Sequence, residues 1–275
     1  MSPLLLSLLS MTMGANPEAA AKVKDGAKLD DTARIEATAK FFEEHTYTYT
    51  GGDYKEEPFK WRLLKPETID SGKKYPVILF LHGAGERGDD GKLQLKYFGE
   101  TISTPENRQK YPCFVIIPQC RVGKEWANYK WDKNVGEQAK NPSDQAKVAL
   151  GILDEVLKTY PCDEKRLYLT GISMGGYGSW DLATRDPDKF ACIVPICGGG
   201  PESQAAKLIK LPIWCFHGDA DTGVPVERSR KMIAAVKAAG GEPKYTEYPG
   251  VGHNSWERTY NNPEVIAWIF EQKKE

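Results

Sequence analysis

Tyr168-Leu169-Thr170-Gly171-Ile172-Ser173-Met174-Gly175-Gly176-Tyr177-Gly178 decides how this chain folds. Its first residues continue an apolar run from Leu167 that reads as a buried strand. Its last residues open a helix-like segment, Tyr177 to Arg185. Between the two stands Gly-x-Ser-x-Gly, and strand, motif, helix is the context that gives those five residues meaning. The turn is tight enough to strain the serine's own backbone. A Cβ at Gly171 or Gly175 would strike the neighbouring strand or helix. The turn lifts the Ser173 hydroxyl out of the sheet, and the following helix aims its amide N–H groups at the same spot.

Outward from this turn the pattern is regular. Val77 to Leu81 and Phe114 to Ile117 are continuous apolar runs, as expected for strands covered on both faces. Pro142 to Tyr160 reads as an amphipathic helix, with Asn141 as cap, Pro142 in the first position and Ala149, Ile152, Leu153, Val156 and Leu157 as its apolar stripe. Phe190 to Ile196, Pro212 to Phe216 and Tyr245 to Tyr248 read as further strands. Val226 to Ala239 and Pro263 to Phe270 read as helices. Towards the N-terminus, Thr46 to Thr50 alternates, Gly51-Gly52-Asp53 makes a turn, and Phe59 to Leu64 follows, which predicts an antiparallel hairpin. The expected architecture is one α/β domain over residues 46–275. Its sheet is mostly parallel, helices cover both faces, and the N-terminal hairpin is antiparallel. Residues 1–45 read as an extension, with a short helix or loose arm over 22–45.

A serine hydroxyl is a poor nucleophile near neutral pH and needs a base, which itself needs an orienting group. In an open α/β sheet such groups gather beyond the carboxyl ends of the strands. After the strand 212–216 comes His217-Gly218-Asp219-Ala220-Asp221, and after 245–248 comes Pro249-Gly250-Val251-Gly252-His253. The chain has four histidines, and His253 alone lies in a glycine-bounded loop after the last strand. It is the expected general base for Ser173. Asp219 and Asp221 compete to orient it. Asp221 lies further into the loop, where it can reach His253, whereas Asp219 is placed to cap backbone amides. For an oxyanion, one donor is the Met174 amide and the second is the Ala84 amide, in the loop His82-Gly83-Ala84-Gly85 after the strand 77–81. His82 and His217 read as residues holding their loops. A zinc site built from them and a carboxylate is disfavoured, because no helix or hairpin presents them at ligand spacing. No metal and no cofactor is called for.

Leu81 to Asp89 (Leu-His-Gly-Ala-Gly-Glu-Arg-Gly-Asp), Gly171 to Trp180, and His217-Gly218 with Asp221 and Val224-Pro225 together resemble the carboxylesterase and predicted-peptidase branch of the α/β-hydrolases. Feruloyl-esterase-like and polyhydroxybutyrate-depolymerase-like members fall in that branch. The resemblance runs from about Tyr47 to the C-terminus. It implies an α/β-hydrolase fold and the triad Ser173, Asp221, His253, matching what the strand ends deliver. It also marks Glu86 and Arg87, expected to brace the oxyanion loop through charge-assisted bonds.

The expected activity is carboxylic-ester hydrolysis through an acyl-enzyme, on accessible small or polysaccharide-linked esters, with acetyl and feruloyl groups on plant polysaccharide as candidates. Only Gly198 to Leu211 separates two successive strands, too little for a lipase-like cap. Trp126 and Trp131 on the long stretch 120–141, and Trp256 just past His253, are candidate substrate-stacking residues. A peptidase of the prolyl-oligopeptidase type shares the elbow, but such enzymes usually carry a propeller, which this sequence does not show. A binding module reusing the fold is a third reading. Dehalogenase and dienelactone-hydrolase chemistry are disfavoured, because they place Asp or Cys where Ser173 stands.

With 37 basic and 38 acidic residues the net charge is −1, which argues against a nucleic-acid partner. No apolar run reaches the ~18 residues that span a bilayer. Ser2 to Met11 resembles the apolar core of a secretory signal, with Ala19-Ala20-Ala21 as a cleavage site, though no Lys or Arg precedes it. Residues 1–21 are therefore a candidate signal and the location is read as secreted or periplasmic, with cytoplasmic as the alternative. The six cysteines lack metal-like spacing and several read as small buried residues. The sequence leaves oligomeric state open.

Overall fold

A computed structural model describes residues 30–129 and 137–275. The candidate signal and the position of Trp131 lie outside the described residues. Helix α1 (Asp31–Ala39) comes first, then β1 (Phe42–Gly51) and β2 (Tyr54–Leu64). The Asp30 side chain accepts the Ala33 amide at 2.7 Å and starts the helix. Strands β1 and β2 pair antiparallel, with Tyr47 opposite Phe59 and Phe42 opposite Leu64. The hairpin thus begins at Phe42, ahead of Thr46, because Phe42 and Leu64 bury each other at its base.

The remaining strands are β3 (Tyr75–Leu81), β4 (Phe114–Pro118), β5 (Cys162–Ile172), β6 (Cys192–Ile196), β7 (Trp214–Gly218) and β8 (Lys244–Tyr248). They form one sheet in the order β1-β2-β4-β3-β5-β6-β7-β8. β2 meets β4 antiparallel, and every later pairing is parallel. Successive side chains point to opposite faces, so each apolar run feeds two cores. Leu79, Leu81, Ile116 and Leu169 enter one core. Ile78, Phe80, Ile117 and Tyr168 enter the other.

Between β3 and β4 lie the short helices α2 (Phe98–Ile102) and α3 (Pro105–Lys110). Then come α4 (Asp144–Thr159), α5 (Met174–Arg185), α6 (Glu227–Ala238), α7 (Ser255–Tyr260) and α8 (Pro263–Glu271). Helix α4 supplies Ala149, Ile152, Leu153 and Val156 to the first core, as its stripe predicts. It starts later than expected. Ser143 rather than Asn141 is the cap, its hydroxyl accepting the Ala146 amide at 3.0 Å. The short stretch between β6 and β7 folds as a 3₁₀ turn, Glu202–Leu208, which buries Ala205 and Leu208 in the core and does not rise as a lid. All six cysteines are free thiols and all are buried. Among the described residues no helix is long and apolar enough to cross a membrane. Because β3 and β5 to β8 run the same way, their carboxyl ends bring the loops after Leu81, Ile172, Gly218 and Tyr248 to one edge.

Candidate active site

Ser173 stands between β5 and α5 with φ +52° and ψ −115°. A residue with a Cβ pays of order 1–3 kcal/mol to sit there, so its surroundings must impose it. The Ser173 amide donates to Ile196 O at 2.9 Å, and the Tyr177 amide donates to Ser173 O at 3.1 Å. Both flanking glycines are required for the approach. A Cβ on Gly171 would fall 2.3 Å from Gly175 O.

The three residues expected from the strand ends come together. His253 Nε2 lies 2.9 Å from Ser173 Oγ, and His253 Nδ1 lies 2.7 Å from Asp221 Oδ2. A carboxylate can only accept, so Nδ1 carries the proton and Nε2 is free to receive the serine's. The Asp221 side chain is wholly buried. Burial alone would raise its carboxyl. Hydrogen bonds from His217, His253 and the Val224 amide outweigh that and hold it well below the usual carboxylate range. Asp219 does the other job: its Oδ1 accepts the Gly250 amide at 2.6 Å and closes the turn ahead of His253.

Met174 is the first residue of α5, and Ala84 is the first of a 3₁₀ turn, Ala84–Glu86. First-turn amides have no acceptor within their own helix, the property expected of oxyanion donors. The strands that carry them are neighbours, with Leu81 opposite Gly171. Beneath the Ala84 loop, His82 is fully buried and both ring nitrogens are committed. Nδ1 donates to Gly83 O at 2.6 Å and Nε2 accepts the Cys120 amide at 2.9 Å. Burial pushes the ring down to about 4, with Arg87 adding to it and the Gly83 carbonyl opposing. His82 therefore holds the loop as a neutral ring and has no lone pair left for a metal. The expected Glu86–Arg87 brace is divided. Glu86 turns inward, its Oε2 only 3.0 Å from where a Cβ on Gly83 would sit. Arg87 reaches outward to within 3.6 Å of Glu125. Burial raises the Glu86 carboxyl against the pull of Lys96 and of the Gly83 and Glu86 amides.

Residues 102–266 match the model of the dienelactone hydrolase family. The chain belongs to that family. A thermostable esterase of known structure superposes with a TM-score of 0.79 at 36% identity, over 86% of this chain and 64% of that one. The bifunctional acetylxylan esterase/xylanase XynS20E of Neocallimastix patriciarum is 30% identical over 177 residues, which is 62% of this chain and 23% of that protein. The probable feruloyl esterase C of Aspergillus niger is 23% identical over 81% of this chain and 78% of its own. This chain thus spans under two thirds of the first two. The serine at position 173 is what speaks against dienelactone-hydrolase chemistry. Kinship with the dienelactone hydrolases and the nature of the nucleophile are separate matters, and this family member has a serine at the elbow.

The family member's aromatic residues fall out differently from expectation. Trp126 is 1% exposed and its indole N–H donates to His82 O at 3.0 Å, so it packs under the loop 82–85 and offers no face to a substrate. Trp256 does stand at the site, its ring 5.1 Å from that of His253 and edge-on to it. Against Trp256, at 5.3 Å, lies Tyr97, which sequence reasoning missed. Tyr97 has φ +65° and ψ −93°, close to the strained conformation of Ser173 itself. Its hydroxyl is pushed up to about 12 by burial and by the carboxylates of Glu86, Asp31, Glu257 and Glu100. Nothing local in Lys96-Tyr97-Phe98 signals this backbone.

Proposed function

We propose that this protein is a serine carboxylic-ester hydrolase working through an acyl-enzyme. One observation carries the reading: the imidazole of His253 bridges Ser173 Oγ at 2.9 Å and Asp221 Oδ2 at 2.7 Å. Ser173 Oγ attacks the ester carbonyl as His253 Nε2 takes its proton. The oxyanion is received by the Met174 and Ala84 amides, each such donor being worth about 3–4 kcal/mol in the transition state. The tetrahedral adduct collapses, His253 returns the proton to the departing alkoxide, and the acyl group stays on Ser173. Water, deprotonated by the same imidazole, then releases the acid. Asp221 stays ionised throughout and holds the ring in the required tautomer.

The acyl class we propose is acetyl or feruloyl, on esters accessible at a surface such as plant polysaccharide. It is supported by the names of two relatives, an acetylxylan esterase and a feruloyl esterase. The Tyr97–Trp256 wall beside His253 suits a sugar or phenolic ring. Export is part of the same proposal and rests on the reading of residues 1–21. N-terminal sequencing of the mature protein tests it, and an intact Met1 would sink it. The activity is tested with p-nitrophenyl acetate and a panel of acetyl, butyryl, octanoyl and feruloyl esters, each beside a matched amide. The expected result is an early acyl burst on esters and little turnover of amides. Amide turnover equal to ester turnover would favour a peptidase. No turnover of either, together with failure to react with a fluorophosphonate, would end the proposal.

A further inference from the structure

The carboxylate of Asp221 accepts four hydrogen bonds, of which its place in a triad explains one. Oδ1 accepts the amides of Gly223 and Val224, each at 2.8 Å. Oδ2 accepts His253 Nδ1 at 2.7 Å and also His217 Nε2 at 3.1 Å. His217 Nε2 meets acceptors only, since its other partner is Val224 O at 3.0 Å, so this nitrogen bears a proton. On the far side of the ring, Nδ1 lies 2.7 Å from Ser229 Oγ, and Ser229 Oγ lies 3.0 Å from Gly198 O. His217 and Ser229 are completely buried. Gly198 in turn rests on the first turn of α5: a Cβ there would fall 2.5 Å from Gly176 C and 2.7 Å from the Tyr177 nitrogen. The contacts run from Ser173 through His253 and Asp221, and return through His217, Ser229 and Gly198 to the helix that Ser173 begins.

We propose that His217 is a positioning residue of the triad, whose Nε2–H pins Asp221 Oδ2 under His253 and shares that oxygen's charge. The inference rests on the serine-hydrolase reading above and adds a second histidine to it. Two effects follow from its removal, and they are separable. Without His217 the two amides still hold Oδ1, but Oδ2 loses the second donor that fixes it under His253, so His253 is held less well and kcat falls. The charge that His217 had drawn on becomes available to His253 alone, so protonated His253 is favoured and the acid limb of the rate profile moves to higher pH. A histidine that merely filled space would change stability and nothing else. The other titratable or charged groups about this cluster are Cys197 and Tyr177 near Asp221, Arg228 near Tyr177, Cys215 near Ser229, Glu247 near His217 and Glu86 near His253. None of them is itself changed by replacing His217.

The test compares wild type with His217→Phe, His217→Gln and Ser229→Ala on p-nitrophenyl acetate across pH, with the titration of the His253 ring followed by NMR. His217→Phe is expected to lower kcat by about 10²-fold with KM little changed. Its acid limb and its His253 NMR midpoint should both move up by roughly half a pH unit or more. His217→Gln, which keeps an N–H donor, should recover most of the rate. A folded His217→Phe with kcat within about twofold of wild type and an unmoved midpoint overturns the proposal. So does a loss that His217→Gln fails to lessen. Should His217→Phe not fold, Ser229→Ala decides: a several-fold fall in kcat at constant KM is expected, and wild-type kinetics would overturn the proposal. If wild-type protein turns over no ester, the function proposed above falls, while the His253 midpoint in the variants still tests the hydrogen bond from His217.

Discussion

A Cβ on Gly175 would lie 1.8 Å from the carbonyl oxygen of Leu81. The obstacle is backbone on the adjacent strand, so no side chain can swing aside to make room. Overpacking usually costs about 1–3 kcal/mol, and here the neighbour is less yielding than usual. Gly175→Ala is therefore expected to lower the midpoint of thermal unfolding by roughly 4–12 °C for a domain of this size. It should also part the strands that carry Met174 and Ala84, with loss of ester turnover. Calorimetry beside a rate assay checks both, and a variant with the wild-type midpoint would contradict the close approach.

The two aspartates of the loop after β7 separate chemistry from turn-building. Asp221→Asn leaves the wrong tautomer at His253 and is expected to lower kcat by about 10⁴-fold, and Ser173→Ala by about 10⁶-fold with no acyl burst. Asp219→Asn alters only the acceptor of the Gly250 amide and should keep kcat within about threefold. Steady-state and burst kinetics on one ester distinguish them. A collapse of activity in Asp219→Asn with a mild effect in Asp221→Asn would reverse the assignment.

His82 makes stability depend on pH in a defined window. Its ordinary value is 6.5, and burial pushes it to about 4 in the fold. Between these values the unfolded chain binds the proton and the folded chain does not. Stability therefore falls as the pH is lowered from about 6.5 to about 4 and returns as the pH rises. The whole window is worth about 3 kcal/mol. Glu86, raised by burial, acts in the opposite sense, and Asp221, held low, acts only at more acid pH. Urea denaturation at pH 7 and pH 5 should show the decline in wild type and a flatter response in His82→Gln. Parallel curves for the two proteins would refute it.

Trp126 and Trp256 should differ in their effect on ester preference. Trp126→Phe strands the carbonyl of His82 and is expected to cost about 1 kcal/mol, or roughly 2–4 °C in Tm, with the ratio of feruloyl to acetyl turnover unchanged. Trp256→Ala removes packing against Tyr97 and the second core, so it should lower Tm by several degrees, and it should also raise KM for a feruloyl ester about 3- to 10-fold more than for an acetyl ester. An equal effect on both esters would remove Trp256 from substrate contact.

What could be read from the sequence was whatever a strand end fixes locally. Ser173 and Asp221 each follow an apolar run by a few residues, His253 follows a short strand of mixed character, and a parallel sheet brings such positions to one edge whatever lies between. The glycines of the elbow were legible for the same reason, since the turn's own geometry demands them. What escaped depended on partners far along the chain. Trp126 looks like a loop aromatic until the carbonyl of His82 takes its N–H. Tyr97 has an unremarkable local sequence, and its partner Trp256 lies far along the chain. Asn141 reads as the cap of α4 in the sequence, but it is the Ser143 hydroxyl that accepts an amide three residues on. His217 could be assigned to its loop, but its bond to Asp221 needed the turn to be closed first.

The six thiols give the molecule a built-in gauge of its own opening. Each is at most 3% accessible, and burial raises each one above an ordinary thiol, Cys113 and Cys215 to about 12. Alkylating reagents need the thiolate and a clear approach, so the folded protein resists them and only a breathing segment takes up label. Because Cys113 precedes β4, Cys162 and Cys192 begin β5 and β6, Cys215 lies within β7 and Cys197 adjoins the triad, the order in which these sulfurs are tagged reports which part of the sheet loosens first.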